Sequence, residues 1–207
     1  MKVPVLMYHA VSPQITGATN INPVHIPLSS FIDQMRWLKN EGYQTLSIEE
    51  LLIYKKYKKE LSKKVVLTFD DGYLSLLEHV TKVLKENNFK ATLFLTTASV
   101  GSKSYNELSH LGKSYPENDR PLNWRELQEM EQLGWSIEAH GHEHRVHNML
   151  PEQELKFEME MCKQLIDQNL NTSCSHYSFP WGRYNMLCLK SLEELTSFRG
   201  FRFNRVL

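Results

Sequence analysis

Residues 140–147 read HGHEHRVH, four histidines in eight positions. Imidazoles crowded on one loop repel when protonated and gain most from sharing a cation, so the run points to metal binding. It does not fit H-E-x-x-H, because Val146 stands where the second histidine would be, nor H-x-H-x-D-H, because His144 occupies the aspartate position. What remains is H-x-x-x-H, His140 with His144. A second chemical group is Asp70-Asp71-Gly72. Adjacent carboxylates repel in apolar surroundings unless a cation lies between them or one holds a proton. The competing reading is that both merely cap a helix beginning near Tyr73. His9 closes a third apolar run, Val3 to Tyr8, either as a proton-handling group or as a strand-end imidazole bonded to a backbone carbonyl. Cys162, Cys174 and Cys188 are odd in number, widely spaced and read as ordinary thiols; a zinc site using Cys174 and His176 would lack spaced partners.

These groups need elements to bring them together. Val3–Tyr8, Tyr43–Leu46, Val65–Phe69, Ala91–Leu95, 135–139 and 176–179 have strand character. Helices are expected from a cap at Ser29 or Ser30 through Asn40, from the capping box Ser47-x-x-Glu50, from near Tyr73 through Leu84, from the box Asn123-x-x-Glu126, over Pro151–Gln168 and near Leu187–Leu195. The alternation implies an α/β fold with a mainly parallel sheet or barrel, in which chemistry gathers beyond the C-terminal strand ends. Three of the strands end in Tyr8-His9, Asp70-Asp71 and Ala139-His140. On parallel neighbours these groups converge, and a turn at Gly72 can bring both aspartates to one side.

The 207 residues fit one domain, 1–207, with enough apolar content (41%) for a core. Lys plus Arg (24) equals Asp plus Glu (24), so no global field draws the chain to nucleic acid or an anionic membrane. The lysine-rich KKYKKELSKK, residues 55–64, reads as a solvated helix end and loop, with contact to an acidic polymer as the alternative. No apolar run reaches membrane-spanning length, and the N-terminus lacks a signal-peptide pattern, so the chain as written is expected in the cytoplasm unless an export signal has been removed. Oligomeric state is not readable.

In their order and spacing, VPVLMYHAVS, GYQTLSIEEL, VVLTFDDGY, FKATLFL, LNWRELQEMEQLGWSIEAHGHEH and SFPWGRYN resemble the polysaccharide deacetylases, the NodB-like domains of carbohydrate esterase family four. The likeness covers most of the chain. Leu6-Met-Tyr-His9 has the L-x-x-H form found at the other end of most relatives, which resembles the circularly permuted branch that includes poly-N-acetylglucosamine deacetylases.

The resemblance implies a distorted (β/α) barrel and removal of N-acetyl groups from an N-acetylated oligo- or polysaccharide by attack of metal-activated water on the acetamide. It implies that Asp71, His140 and His144 hold one divalent ion, commonly zinc, that Asp70 is the catalytic base and His9 the acid, and that the backbone N–H of Trp181 helps stabilise the oxyanion. Trp181, Tyr184 and Trp124 are candidate sugar-stacking residues, with core packing as the alternative. His142 and His147 fall to supporting or surface positions, and His25, His79, His110 and His176 receive no role. The chain departs from the family in three places. Its R-x-P-Y-G motif reads Ser178-Phe-Pro-Trp-Gly182, without the arginine that pairs with the catalytic aspartate in many members. Gly141 replaces the usual Ser or Thr, and the chain stops soon after the Pro-Trp-Gly turn, so the barrel's last strand is expected to be short, missing or replaced by Gly200–Leu207. A catalytically weak carbohydrate-binding relative and a metal amidase for a small molecule are the alternative functions.

Overall fold

The computed structural model describes residues 3–15, 22, 24–105, 119–171 and 173–195. Its spine is the strand β5 (Lys64–Asp71), in which Val65 through Asp71 are all buried. A near-continuous apolar run of this kind is what a parallel strand covered on both faces requires. β5 pairs with β1 (Val5–Tyr8) on one side and β6 (Thr92–Leu95) on the other, and β6 pairs with β7 (Ser136–Ala139). The short β4 (Gln44–Thr45) joins the start of β5, and every pairing is parallel. A separate parallel pair links β2 (Val11–Ser12) to β3 (Ile26–Pro27). The expected strand over 176–179 is reduced to a single parallel bridge between Tyr177 and Ala139, with the Pro180–Gly182 turn following directly after Phe179. Among the described residues no ladder joins β1 to the Tyr177 segment, and Gly200–Leu207 lie outside them, as does His110.

The registers Tyr8↔Phe69, Phe69↔Leu93 and Leu93↔Ile137 place these residues on one face, under the helices, where they belong to the main core. Val66 and Phe94 face the other way and pack with Leu46, Ile48 and Leu51. The helices are α1 (Leu28–Asn40), α2 (Ile48–Lys56), α3 (Thr81–Asn87), α4 (Trp124–Gln132), α5 (Glu152–Asn169) and α6 (Met186–Glu194). α1 packs on α3, while α5 packs on β7 and α6. Both sequence-predicted capping boxes form. Glu50 N–H donates to Ser47 Oγ (3.1 Å) and Ser47 N–H to Glu50 Oε2 (2.8 Å), with the same reciprocal pair between Asn123 and Glu126 at 3.0 and 2.8 Å. α1 instead begins after Pro27, with no side-chain cap, so Ser29 and Ser30 lie inside it. The expected helix after Gly72 forms, but Leu76–Val80 are wound as a π-turn before α3. Among the described residues no helix is long and apolar enough to cross a membrane.

The lysine-rich segment emerges from α2 at the N-terminal end of β5, the end opposite Asp70 and Asp71. Its residues 56–60 are exposed, and ammonium groups ride on tyrosine rings, Lys59 5.1 Å from the Tyr54 centroid and Lys63 4.9 Å from that of Tyr43.

Candidate metal centre

Because the strands are parallel, their C-terminal ends share one edge of the sheet, and His9, Asp70, Asp71 and His140 all stand there. The ligand atoms of Asp71, His140 and His144 lie within 4.8 Å of one another, and all three residues are buried. His144 Nε2 is 3.4 Å from Asp71 Oδ1, and His140 Nε2 is 3.8 Å from that oxygen and 3.8 Å from Asp70 Oδ2. His9 Nε2 approaches the other oxygen, Asp71 Oδ2, to 4.0 Å.

Neighbouring strand residues normally point to opposite faces, yet both carboxylates reach His140. The strand turns as it ends: Asp71 adopts φ 75° and Gly72 φ 102°. At φ 102° a side chain is strained, and a Cβ at Gly72 would also sit 2.7 Å from the Leu95 side-chain tip, so glycine suits this turn. The capping role that Asp70 and Asp71 might have taken belongs to another segment. Ser75 N–H donates to Asp119 Oδ1 (3.2 Å) and Leu74 N–H to Arg120 O (2.8 Å), so these two amides of the helix start are met by the 119–120 segment.

The donor set suits a cation. His140 Nδ1 lies 2.9 Å from the Ser178 carbonyl, which can only accept, so Nδ1 carries the proton and the neutral ring turns its Nε2 lone pair towards the aspartates. Burial pushes the His140 imidazole below its ordinary value, against the pull of Asp71 and the Ser178 carbonyl. Burial likewise pushes His144 down to about 4, with Asp71 opposing and the other imidazoles adding to it. Both rings are therefore neutral at neutral pH, the form that ligates metals. Burial would raise Asp71, but the imidazoles of His144, His9 and His140 and the Tyr73 hydroxyl outweigh it and hold the carboxyl below the usual range. Asp71 Oδ1 and His144 Nδ1 are buried without a hydrogen bond. A divalent ion placed between Asp71 Oδ1 and the two Nε2 atoms, 3.4 and 3.8 Å from it, would take up this buried oxygen.

The remaining sequence candidates divide. Trp181, half exposed, places its ring 5.1 Å from that of His144 and donates from Nε1 to His144 O at 3.3 Å. Tyr184 is partly buried and stacked on Phe179 (centroids 5.2 Å apart), and Trp124, the first residue of α4, is partly buried against the core. His142 Nδ1 pairs with Thr97 Oγ1 at 2.9 Å. His147 is fully buried between Arg145 O (2.7 Å) and the Tyr177 hydroxyl (2.6 Å). Among the described residues, no group with metal-ligand spacing includes Cys174 or His176.

Sequence reasoning missed the support of Asp71. Tyr73 Oη donates to Asp71 Oδ2 (3.2 Å), and His25 Nε2 lies 3.1 Å from the same hydroxyl. Tyr73 adjoins the Asp-Asp-Gly run, which was a usable signal, whereas nothing local links His25 to a tyrosine 48 positions away.

A family profile described as polysaccharide deacetylase matches residues 57–197. The chain is 35% identical over 194 residues to YxkH of Bacillus subtilis, a protein named for the same family, covering 93% of this chain and 61% of that protein. It is 25% identical to a Staphylococcus aureus poly-beta-1,6-N-acetyl-D-glucosamine N-deacetylase, covering 82% of this chain and 58% of that one. It thus spans about six tenths of the length of both. Among solved structures, the Streptococcus pyogenes deacetylase PplD in complex with acetate superposes with a TM-score of 0.79 at 27% identity, over 95% of this chain and 81% of that one. IcaB from Ammonifex degensii shares the fold with a TM-score of 0.76 at 20% identity, over 95% of this chain and 81% of that one.

Proposed function

The chain belongs to the polysaccharide deacetylase family, and we propose that it removes acetyl groups from an N-acetylated glycan by hydrolysis of the acetamide. The observation that carries this reading is the convergence of a three-residue ligand set with a further carboxylate and a further imidazole, which simple sugar binding does not need. Asp71, His140 and His144 would hold one divalent ion, with zinc the best match to two imidazoles and a carboxylate. Such an ion supplies a water of lowered pKa and polarises the acetamide carbonyl.

The protein's own groups handle the protons. Asp70 lies on the side of His140, 3.8 Å from its Nε2, and takes the proton of the attacking water. His9 lies on the opposite oxygen of Asp71, away from the one that faces His140 and His144, and gives a proton to the departing amine. Base and acid on different sides of the ligand set is the division that amide hydrolysis requires. The backbone N–H of Trp181, in a turn at φ 61°, is the additional oxyanion donor, and its half-exposed indole offers a face for a pyranose ring. The names of the relatives support an N-acetylglucosamine polymer as the substrate class.

Acetate release from N-acetylglucosamine oligomers by ion-loaded protein tests the proposal. Asp70→Asn is expected to lower kcat/KM by about 10²–10⁴-fold while ion uptake persists. Unchanged activity in that variant removes Asp70 as the base. If the parent binds oligomers but releases no acetate with any of several divalent ions, the protein is a carbohydrate-binding relative instead.

A further inference from the structure

α5 packs with the apolar stripe Leu155, Met159, Cys162 and Ile166, and Glu158 sits on that stripe, fully buried. A carboxylate in such a place is costly unless its oxygens are engaged. Those of Glu158 are engaged by the histidine loop. Oε2 accepts from His142 N–H (3.0 Å) and Glu143 N–H (2.9 Å), and Oε1 lies 3.2 Å from Glu143 N–H. These two amides belong to the three residues between His140 and His144.

We propose that Glu158 is a positioning residue for the metal centre: it grips the backbone between His140 and His144 and so fixes the loop shape in which both imidazoles face Asp71.

The loop needs such a grip. His140 follows directly from β7 and is tied to Ser178 O, but His144 has no element of its own. It stands in the left-handed region at φ 57°, and its Nδ1 is buried without a hydrogen bond. Gly141, at φ 85°, starts the turn. The His144 ring packs beside Trp181 but makes no hydrogen bond through Nδ1, so the shape of the loop depends on contacts to its backbone. Charge-assisted bonds to two successive N–H groups are a strong, directional way to do this. The same contacts explain Gly141. A Cβ there would meet His147 Cε1 at 3.1 Å, Glu158 Oε2 at 3.2 Å and Pro180 Cγ at 3.3 Å, so a side chain would press on the gripping carboxylate. Glutamate on an otherwise apolar helical stripe is the sequence trace of the device.

This inference rests on the proposed metal site, and its test separates the two. Backbone amide exchange at His142 and Glu143 is followed by NMR in the metal-free protein, and Co²⁺ and Zn²⁺ affinities are measured by chelator competition, with the Co²⁺ visible spectrum reporting ligand geometry. In Glu158→Leu the two amides lose protection, ion affinity falls by about 10–100-fold and the Co²⁺ spectrum shifts. Glu158→Gln, which keeps an acceptor where Oε2 stands, recovers most of each. Gly141→Ala loosens the same contacts from the other side and guards against poor folding of the leucine variant. Unchanged protection in the leucine and alanine variants, or lost protection with undiminished ion affinity, overturns the proposal. If the parent protein takes up no ion, the deacetylase mechanism falls, while amide exchange still decides whether Glu158 holds the loop.

Discussion

Two buried groupings of carboxylate and imidazole lie on this sheet, and they differ in how their polar atoms are satisfied. On β7, Glu138 Oε1 pairs with His176 Nδ1 at 2.9 Å, while Oε2 accepts from Ser175 N–H and His176 N–H, each at 2.8 Å. These bonds fasten the 175–176 segment beside the sheet and engage both oxygens of Glu138, while His176 Nε2 lies 3.6 Å from Glu49 Oε2. At the C-terminal edge, Asp71 faces His144, His140 and His9 at 3.4 to 4.0 Å, with its Oδ1 free of any hydrogen bond. The residue types are the same, but among the described residues only the second brings three ligand atoms within 4.8 Å of one another. Separation and direction, rather than composition, distinguish a structural pair from a candidate metal centre.

The largest effect that should separate the two is on ion uptake. His144→Ala is expected to abolish binding of one Zn²⁺ per chain, whereas His176→Ala still binds one; loss of uptake in both would erase the contrast. The next effect runs the other way. His176→Ala leaves Glu138 Oε1 without its donor and should cost about 1–3 kcal/mol of unfolding free energy in urea melts. His144→Ala, which breaks no side-chain hydrogen bond, should cost the metal-free protein less. A reversed order would show that His144 is held as tightly as the Glu138–His176 pair.

A smaller effect concerns pH. Burial pushes His25 and His147 down to about 4 from the ordinary 6.5. The unfolded chain therefore takes up protons first, and the contribution of these two rings to the stability of the metal-free protein, full above pH 6.5, should fall as pH drops towards 4 and level off below it. Replacing His147 with Gln should flatten the slope. Melts that are flat between pH 7 and 5 would contradict the burial of these rings as neutral imidazoles. The smallest effect should come from Trp181→Ala, which keeps the backbone N–H but removes the stacking face. KM for oligomers should rise by about 3–10-fold with kcat little changed. A fall in kcat alone would move Trp181 from sugar binding to the chemistry.

Much of the fold was legible because its signals are local. The apolar run 65–69, the boxes at Ser47 and Asn123 and the spacing of Phe31, Met35 and Leu38 act within a few residues. The misreadings came from longer-range competition. Ser29 and Ser30 have capping chemistry, but Pro27 already sets the entry to α1. Residues 176–179 have strand composition, but only one bridge forms before the Pro180–Gly182 turn. In the site, Asp70, Asp71, His140 and His144 stood out by type and spacing. Their supports did not: Ser178 acts through a carbonyl, Glu158 is an ordinary glutamate in a charged helix, and His25 reaches Tyr73 across the fold.

The sequence by itself therefore singled out the candidate residues and the parallel strands that deliver them to one edge, since residue type and hydrophobic period are local properties. Only the tertiary structure decided which histidines of the run face Asp71. His140 and His144 do so, while Thr97 engages His142 and Tyr177 engages His147. That choice depends on a left-handed turn, a buried glutamate and a carbonyl from a distant segment, and no spacing within eight residues encodes them.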